Sequence, residues 1–121
     1  MKRDTRKKGN DGEDTACRFL EDKGCRIIER NFRSRRGEID IVLDDAGTTV
    51  FTEVKYRSGI SSGRPYEAVT RSKQITICRT ADYYIMKKGL PEEIPYRFDV
   101  VSILENDVTW FKNAFEYIPL R

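Results

Sequence analysis

Two neighbouring stretches of the chain carry charged side chains in the middle of otherwise apolar segments. RRGEIDIV, residues 35–42, contains Asp40, and VFTEVKYR, residues 50–57, contains Glu53 and Lys55. Two carboxylates can hold a hard divalent cation, and an amine beside them can stabilise charge on a phosphate. These residues therefore predict a site for phosphodiester hydrolysis. The alternative is an ordinary cross-strand ion-pair cluster on an exposed face.

The two stretches are predicted to pair as a hairpin around the turn sequence DDAG. Side chains alternate faces along a strand, so Glu53 and Lys55 share a face. Any register that pairs even with odd positions, such as Asp45 with Thr48, places Asp40 on that face as well, about 5–8 Å from Glu53. Facing carboxylates repel each other, so we expect a compensating cation with oxygen ligands, Mg²⁺ or Mn²⁺.

The composition excludes several other kinds of site. The chain has no histidine, which excludes histidine bases, Ser-His or Cys-His nucleophile pairs and His-ligated zinc. Its three cysteines lack CxxC spacing and predict reduced, buried side chains. No apolar run approaches the roughly 18 residues of a membrane span, and no signal-peptide core follows the basic N-terminus. We therefore expect a cytoplasmic protein without membrane contact.

The charges are grouped along the chain. Residues 37–54 hold five acidic and no basic residues, and the blocks on either side, 1–36 and 55–88, have net charges of +5 and +6. Guanidinium and ammonium groups beside an acidic site could hold a nucleic-acid backbone over a metal. The alternative is a solvated charged surface. The candidate nucleic-acid-binding residues are Arg33, Arg35, Arg36, Arg57, Arg71 and Lys73.

Hydrophobic periodicity and turn residues predict the elements that position these side chains. A helix is expected from an N-cap at Asp11 to Gly24, after a flexible lead over residues 9–12, and a second from Pro65 to about Lys88. Strands are expected at residues 25–32, 38–43, 48–56, 96–104 and 108–118. The order α-β-β-β-α-β-β predicts an α/β fold with a mixed central sheet flanked by helices. The 121 residues suit a single domain, 1–121, in which residues 1–8 form a flexible basic N-terminus.

The ordered motifs GNDGEDTACRFL, RNFRSRRGEIDIV, FTEVKYR, SKQITICRTADYYI and RFDVV run nearly end to end. With them the sequence resembles the YraN-like family of small bacterial proteins, which is related to the Holliday junction resolvase branch of the PD-(D/E)xK nuclease superfamily. The resemblance implies a restriction-endonuclease-like core whose first strands carry the site. It also implies that Asp40 and Glu53 are metal ligands and that Lys55 is the catalytic lysine.

The same resemblance gives Glu13, in the first helix, the role of a further metal ligand. From the sequence alone, Glu13 could instead only complement the helix dipole. Lys73 and Gln74 could approach the site as auxiliary residues or stay solvated. Asp99 is expected to be a structural partner for an arginine, and Tyr66 is expected to pack rather than to contact a sugar or base.

Three functions remain open at this stage. The first is a metal-dependent endonuclease or resolvase-like enzyme that acts on DNA, with branched DNA as one candidate substrate and a homodimer suited to a junction. The second is a nucleic-acid-binding module that keeps the nuclease fold without turnover. The third is a protein-interaction domain with an incidental basic face.

Overall fold

The computed structural model describes residues 5–57 and 69–120, with side chains from residue 12 onward. Two helices and five strands follow one another as α1 (Thr5–Asp22), β1 (Arg26–Arg33), β2 (Glu38–Asp45), β3 (Thr48–Arg57), α2 (Arg71–Lys87), β4 (Tyr96–Leu104) and β5 (Asp107–Phe115). This order confirms the predicted α-β-β-β-α-β-β succession and the α/β class.

The five strands form one mixed sheet in the order β1-β2-β3-β4-β5. The β1–β2, β2–β3 and β4–β5 pairs are antiparallel, and the central β3–β4 pair is parallel. A parallel pair needs a crossover connection, and α2 lies in the segment between these two strands. The site-bearing strand β3 is therefore central and paired on both sides.

Each face of the sheet packs against one helix. On one face, Leu20 of α1 joins Ile41, Val50 and Val101 in a buried cluster. On the other face, Ile77 of α2 belongs to a second cluster, whose other large members are Phe32, Ile39, Phe51, Tyr84 and Phe98. Ring contacts such as Phe51–Tyr84, with centroids 5.6 Å apart, fix the second helix on the sheet.

Both helices begin elsewhere than the sequence predicted. The first helix begins at Thr5 instead of at an Asp11 cap, so residues 9–12 lie within it and are not a flexible lead. A glycine costs only about 1 kcal/mol inside a helix, and Gly12 lies so close to Tyr56 that a Cβ would come within 2.5 Å of its ring. The glycines there permit close packing and do not stop the helix.

The second helix begins at Arg71, and not at Pro65, which lies outside the described residues. Thr70 is its N-cap: the residue has an extended backbone, and its hydroxyl accepts a hydrogen bond from the Lys73 amide. Val69 therefore precedes the helix and packs in the core.

The predicted β2–β3 hairpin is tight. Asp45 pairs with Thr48, so Ala46 and Gly47 form a two-residue turn. Both have positive φ, 51° and 96°, as a type I′ turn requires. All three cysteines are buried and free, as predicted. Within residues 5–57 and 69–120, neither helix has the length and apolarity needed to cross a membrane.

Candidate metal centre

The candidate site lies where strands β2 and β3 separate. Their paired register runs from Asp45–Thr48 to Ile41–Thr52 and stops one residue before Asp40. There Oδ2 of Asp40 accepts a hydrogen bond from the Val54 amide at 2.8 Å. The Asp40 side chain thus occupies the place of a main-chain acceptor.

The separation coincides with a change of face in two paired strands. Ile39 packs in the α2-side core, whereas Ile41, two residues on, packs in the α1-side core. On a regular strand both would share a face. In β1, Asn31 has a φ of 54°, and it lies opposite Asp40 between the Arg30–Ile41 and Phe32–Ile39 pairs. The left-handed residue and the facing aspartate therefore mark a local twist, at which side chains from both layers can meet.

Three carboxylates converge at this twist. One oxygen from each of Glu13, Glu38 and Asp40 lies within 4.8 Å of the others. Glu13 comes from α1, while Glu38 and Asp40 are two residues apart on β2. The sequence analysis predicted Glu13 and Asp40 as ligands but missed Glu38. The spacing i, i+2 to Asp40, which places two strand residues on the same face, was the signal that could have identified it.

Glu53 meets Asp40 from the neighbouring strand. Burial, the charge of Glu53 and a hydrogen bond between the two carboxyl side chains raise the pKa of Asp40 to about 8. Burial and the charge of Asp40 also raise the pKa of Glu13 above its ordinary value. At neutral pH, Asp40 therefore keeps its proton, because it lies beside the Glu53 carboxyl group without a compensating cation.

The buried acids fit a hard divalent cation. Glu13 is 9% exposed, and its Oε1 accepts no hydrogen bond within the part of the chain that the structure describes. Arg30 lies near this oxygen, with its Nη2 3.6 Å away, but it makes its close ion pair with Asp14, at 2.7 Å. A buried carboxylate oxygen without a donor is costly. Mg²⁺ or Mn²⁺ takes such oxygen ligands, so the donor set suits these ions.

Two lysines accompany the acids. Lys73, in the first turn of α2, places its Nζ 3.8 Å from Oε2 of Glu53, which is 6% exposed. Lys55 follows Glu53 on β3 and shares its face by strand alternation. It is half-buried and makes no ion pair with a carboxylate among residues 12–57 and 69–120. Lys55 is therefore the ammonium group near the acids that has no charged partner there.

The remaining predicted basic residues lie around the acids. Arg33, at the end of β1, pairs with Glu38 at 3.1 Å. Arg35 and Arg36 are exposed in the turn between β1 and β2, Arg57 ends β3, and Arg71 is the first residue of α2. The structure thus brings Arg33 and Lys73 into contact with site acids and places Arg35 and Arg36 next to them along the chain.

Two other predicted residues have structural contacts. The side-chain amide of Gln74 donates to the Val69 carbonyl at 3.1 Å, so it ties the segment before α2 to the helix. Asp99 is fully buried and accepts hydrogen bonds from Arg97, Trp110 and the Asn113 amide. Its predicted role as a partner of an arginine is confirmed. Tyr66 lies outside the described residues.

A protein-family model and several known proteins match this chain. The model of "Uncharacterised protein family UPF0102" matches residues 12–103, a range that contains all four clustered acids and Lys55. A UPF0102 protein of Lachnoclostridium phytofermentans is 47% identical over 104 residues, which cover 86% of this chain and 88% of the relative. One of Persephonella marina is 43% identical over 109 residues, covering 90% and 93%. One of Chlorobium phaeobacteroides is 50% identical over 101 residues, covering 84% and 79%.

Proposed function

Given that this chain belongs to the uncharacterised protein family UPF0102, we propose that it is a metal-dependent endonuclease that hydrolyses phosphodiester bonds in DNA. Branched DNA is included among the substrates. The resemblance to the YraN-like family is confirmed by the same match. The reaction rests on one observation: carboxylates from α1 and β2 converge at a break in the sheet, and Glu53 of β3 contacts one of them. Lys55, which is half-buried and has no carboxylate partner among the described residues, shares the face of Glu53 by strand alternation.

Glu13, Glu38 and Asp40 would hold the cation, with Glu53 completing the set once Asp40 releases its proton. Mg²⁺ or Mn²⁺ supplies a Lewis acid that polarises the phosphate and lowers the pKa of a water. In this proposal, side chains of the protein stabilise and bind the phosphate groups. Lys55 stabilises negative charge on the reacting phosphate, and Arg33 and Lys73 exchange their carboxylate partners for phosphate oxygens when DNA is bound.

The basic residues that carry no close acid in the described structure would grip the flanking backbone. Arg35, Arg36, Arg57 and Arg71 lie at the ends of β1, β3 and α2, around the acids. Each phosphate contact releases counterions, so binding should weaken as salt rises. We place the reaction in the cytoplasm, where its DNA substrate lies.

A cleavage assay tests the proposal. Purified protein is incubated with four-way junction, flap and linear DNA in Mg²⁺, in Mn²⁺ and in EDTA. Metal-dependent cleavage is expected for the wild type. It should fall at least about a hundredfold in Asp40→Asn and in Lys55→Met, since a metal ligand or a charge-stabilising group contributes about 3 kcal/mol or more.

The matched control is Asp44→Asn, which removes an acid from the same strand, four residues from Asp40. It should cleave like the wild type. Cleavage that persists unchanged in both Asp40→Asn and Lys55→Met, or that needs no metal, would overturn the assignment.

One observation favours a second function, a nucleic-acid-binding module without turnover. The acids also have partners in the protein itself: Glu53 has Lys73, Glu38 has Arg33, and Asp40 keeps its own proton. In such a site the negative charges of these acids are compensated without a metal. This function predicts salt-sensitive DNA binding that survives Glu53→Gln and does not change with EDTA.

A further inference from the structure

A cavity of about 190 Å³ lies on the α2 side of the turn that joins β1 to β2. Its lining is unusually cationic, because three of its five residues are arginines. The lining residues are Ser34, Arg35, Arg36, Arg79 and Tyr83. Within the described structure the only carboxylate paired with any of these arginines is Asp82, which lies near Arg79. The cavity is therefore a candidate anion site separate from the clustered acids.

Arg79 makes this cavity more than a charged surface. It is 8% exposed, and its Nη2 donates to the Ile118 carbonyl. Its Nε lies 3.2 Å from Asp82 but is buried without a well-directed hydrogen bond in the described residues. A buried guanidinium with an unused donor costs free energy unless an acceptor reaches it. Arg79 also lines the cavity, so an anion there would meet its positive charge.

The turn that carries the other two arginines is held in place. The Ser34 hydroxyl accepts hydrogen bonds from the amides of Arg36, at 3.1 Å, and Gly37, at 3.3 Å. The Ser34 amide donates to the Gly37 carbonyl at 2.8 Å. Gly37 lies against Thr76 of α2 with no room for a Cβ. The backbone is thus fixed before any ligand arrives, which lowers the entropic cost of binding.

The cavity is next to the candidate metal centre along the chain. Arg36 lines the cavity and Glu38 belongs to the acid cluster, and two residues of extended chain span about 7 Å. Planar guanidinium forks match the oxygens of phosphate and carboxylate groups, and the adjacent candidate site favours phosphate of the two. From this chemistry and position, we infer that the cavity holds a phosphate group of a nucleic-acid strand whose neighbouring phosphodiester lies at the acids.

This inference rests on the proposed function for its choice of ligand, but it makes a separate claim, since it concerns binding and not cleavage. A terminal phosphate carries a charge of about −1.5 to −2 at neutral pH, more than an internal phosphodiester. A strand with a terminal phosphate should therefore bind more tightly than the same strand without one, if the group in the cavity is a strand end.

Binding of fluorescent single-stranded DNA is measured in EDTA at low salt, with and without a 5′-phosphate. Arg35→Gln/Arg36→Gln should bind the phosphorylated strand at least about tenfold more weakly than the wild type, since a charge-assisted hydrogen bond contributes about 1.5 kcal/mol or more. The control is Arg18→Gln/Arg26→Gln, which removes the same charge from exposed positions on α1 and at the start of β1. It should lose much less affinity.

Comparing the strands with and without a 5′-phosphate identifies the source of the phosphate in the cavity. A loss confined to the phosphorylated strand indicates a strand end, and an equal loss for both strands indicates an internal phosphodiester. Equal affinities in the test and control variants would overturn the inference. Because binding is measured in EDTA, without a metal, a failure of the metal-centre proposal leaves this result unaffected.

Arg79→Lys provides a second measurement. Lysine keeps the charge but loses the fork, so the affinity for the phosphorylated strand should fall several-fold. Because Arg79 also holds the Ile118 carbonyl, the thermal unfolding midpoint of this variant is measured as well. A weaker affinity in a variant that still unfolds near the wild-type temperature supports the inference, and unchanged affinity in such a variant contradicts it.

Discussion

Asp40 connects the two strands of the candidate centre through one side chain. One oxygen completes the main-chain hydrogen bonding of β3, and the carboxyl group also forms a hydrogen bond with the Glu53 side chain. These two contacts explain why an acid is tolerated in an apolar strand. The free-energy cost of burying the carboxyl group is offset by a hydrogen bond from a backbone amide and by a bound proton or cation.

The raised pKa of Asp40 predicts how the stability of the metal-free protein depends on pH. The folded state holds the Asp40 proton up to about pH 8, while the unfolded chain releases it near its ordinary pKa. Between these values the folded state binds more protons, so the free energy of unfolding falls as pH rises. Thermal unfolding in EDTA should show a lower midpoint at about pH 9 than at about pH 6.

The matched comparison for this prediction is Asp40→Asn, which cannot titrate at this position. Its unfolding midpoint should fall less over the same pH interval, while Asp44→Asn should follow the wild type. A pH dependence that is identical in all three proteins would show that Asp40 does not carry the proton.

Asp99 is the other buried acid of the sheet, and its contacts give it a structural role. Arg97, Trp110 and the Asn113 amide all donate to it, and Arg97 also bridges to Asp45 at 2.7 Å. Asp99→Ala leaves these donors unpaired and should lower the free energy of unfolding by about 3–5 kcal/mol. Urea unfolding measures the change. Asp107→Ala, at the exposed start of β5, should change it by less than about 0.5 kcal/mol.

At the scale of elements, the contact of the β1–β2 turn with α2 leaves no room for a larger side chain at Gly37. Gly37 has no positive φ, so alanine could adopt its backbone, but a Cβ would overlap the Thr76 methyl group. Gly37→Ala should therefore lower the free energy of unfolding by about 1–3 kcal/mol, as overpacking does. Urea unfolding provides the measurement.

The control is the double variant Gly37→Ala/Thr76→Ala, in which the second change removes the overlapping methyl group. It should recover most of the loss relative to Thr76→Ala alone. If the single variant is as stable as the wild type, or if the second change recovers nothing, the turn does not depend on this contact.

The strands could be predicted closely because alternation and turn chemistry are local signals. The DDAG turn predicted the hairpin, and any register with even–odd pairing, Asp45–Thr48 among them, placed Asp40 near Glu53. The helix starts were harder to predict. Gly9 and Gly12 suggested a flexible segment before the helix, although both lie within α1. Pro65 suggested a helix start before the actual cap at Thr70. The change of face at Asn31 depends on a left-handed residue paired across strands, which has no local signal. Glu38 was missed although its i, i+2 spacing to Asp40 was present in the sequence.

At the scale of the whole molecule, the acids belong to different layers. Glu13 lies on α1, and Glu38 and Asp40 lie on β2, so a bound cation would tie the helix to the sheet. Mn²⁺ at about one hundred times its dissociation constant should stabilise the wild type by about 2.7 kcal/mol and slow amide hydrogen exchange in α1. Both effects should disappear in Glu13→Gln, which removes the ligand on the helix.

Glu21→Gln serves as the control, since it removes an exposed acid from the same helix. It should respond to Mn²⁺ as the wild type does. Stabilisation of Glu13→Gln equal to that of the wild type would mean that the ion binds elsewhere.

The parallel β3–β4 pair also bears on how the chain folds during synthesis. Every clustered acid and Lys55 precede residue 58, whereas the strand that covers β3 begins only at Tyr96. Until β4 arrives, β3 is an open edge that exposes the apolar residues Val50 and Phe51, and pairing over so long a separation is slow. A nascent chain would therefore carry the complete set of acids on an unprotected strand, at the stage when it is most prone to aggregate.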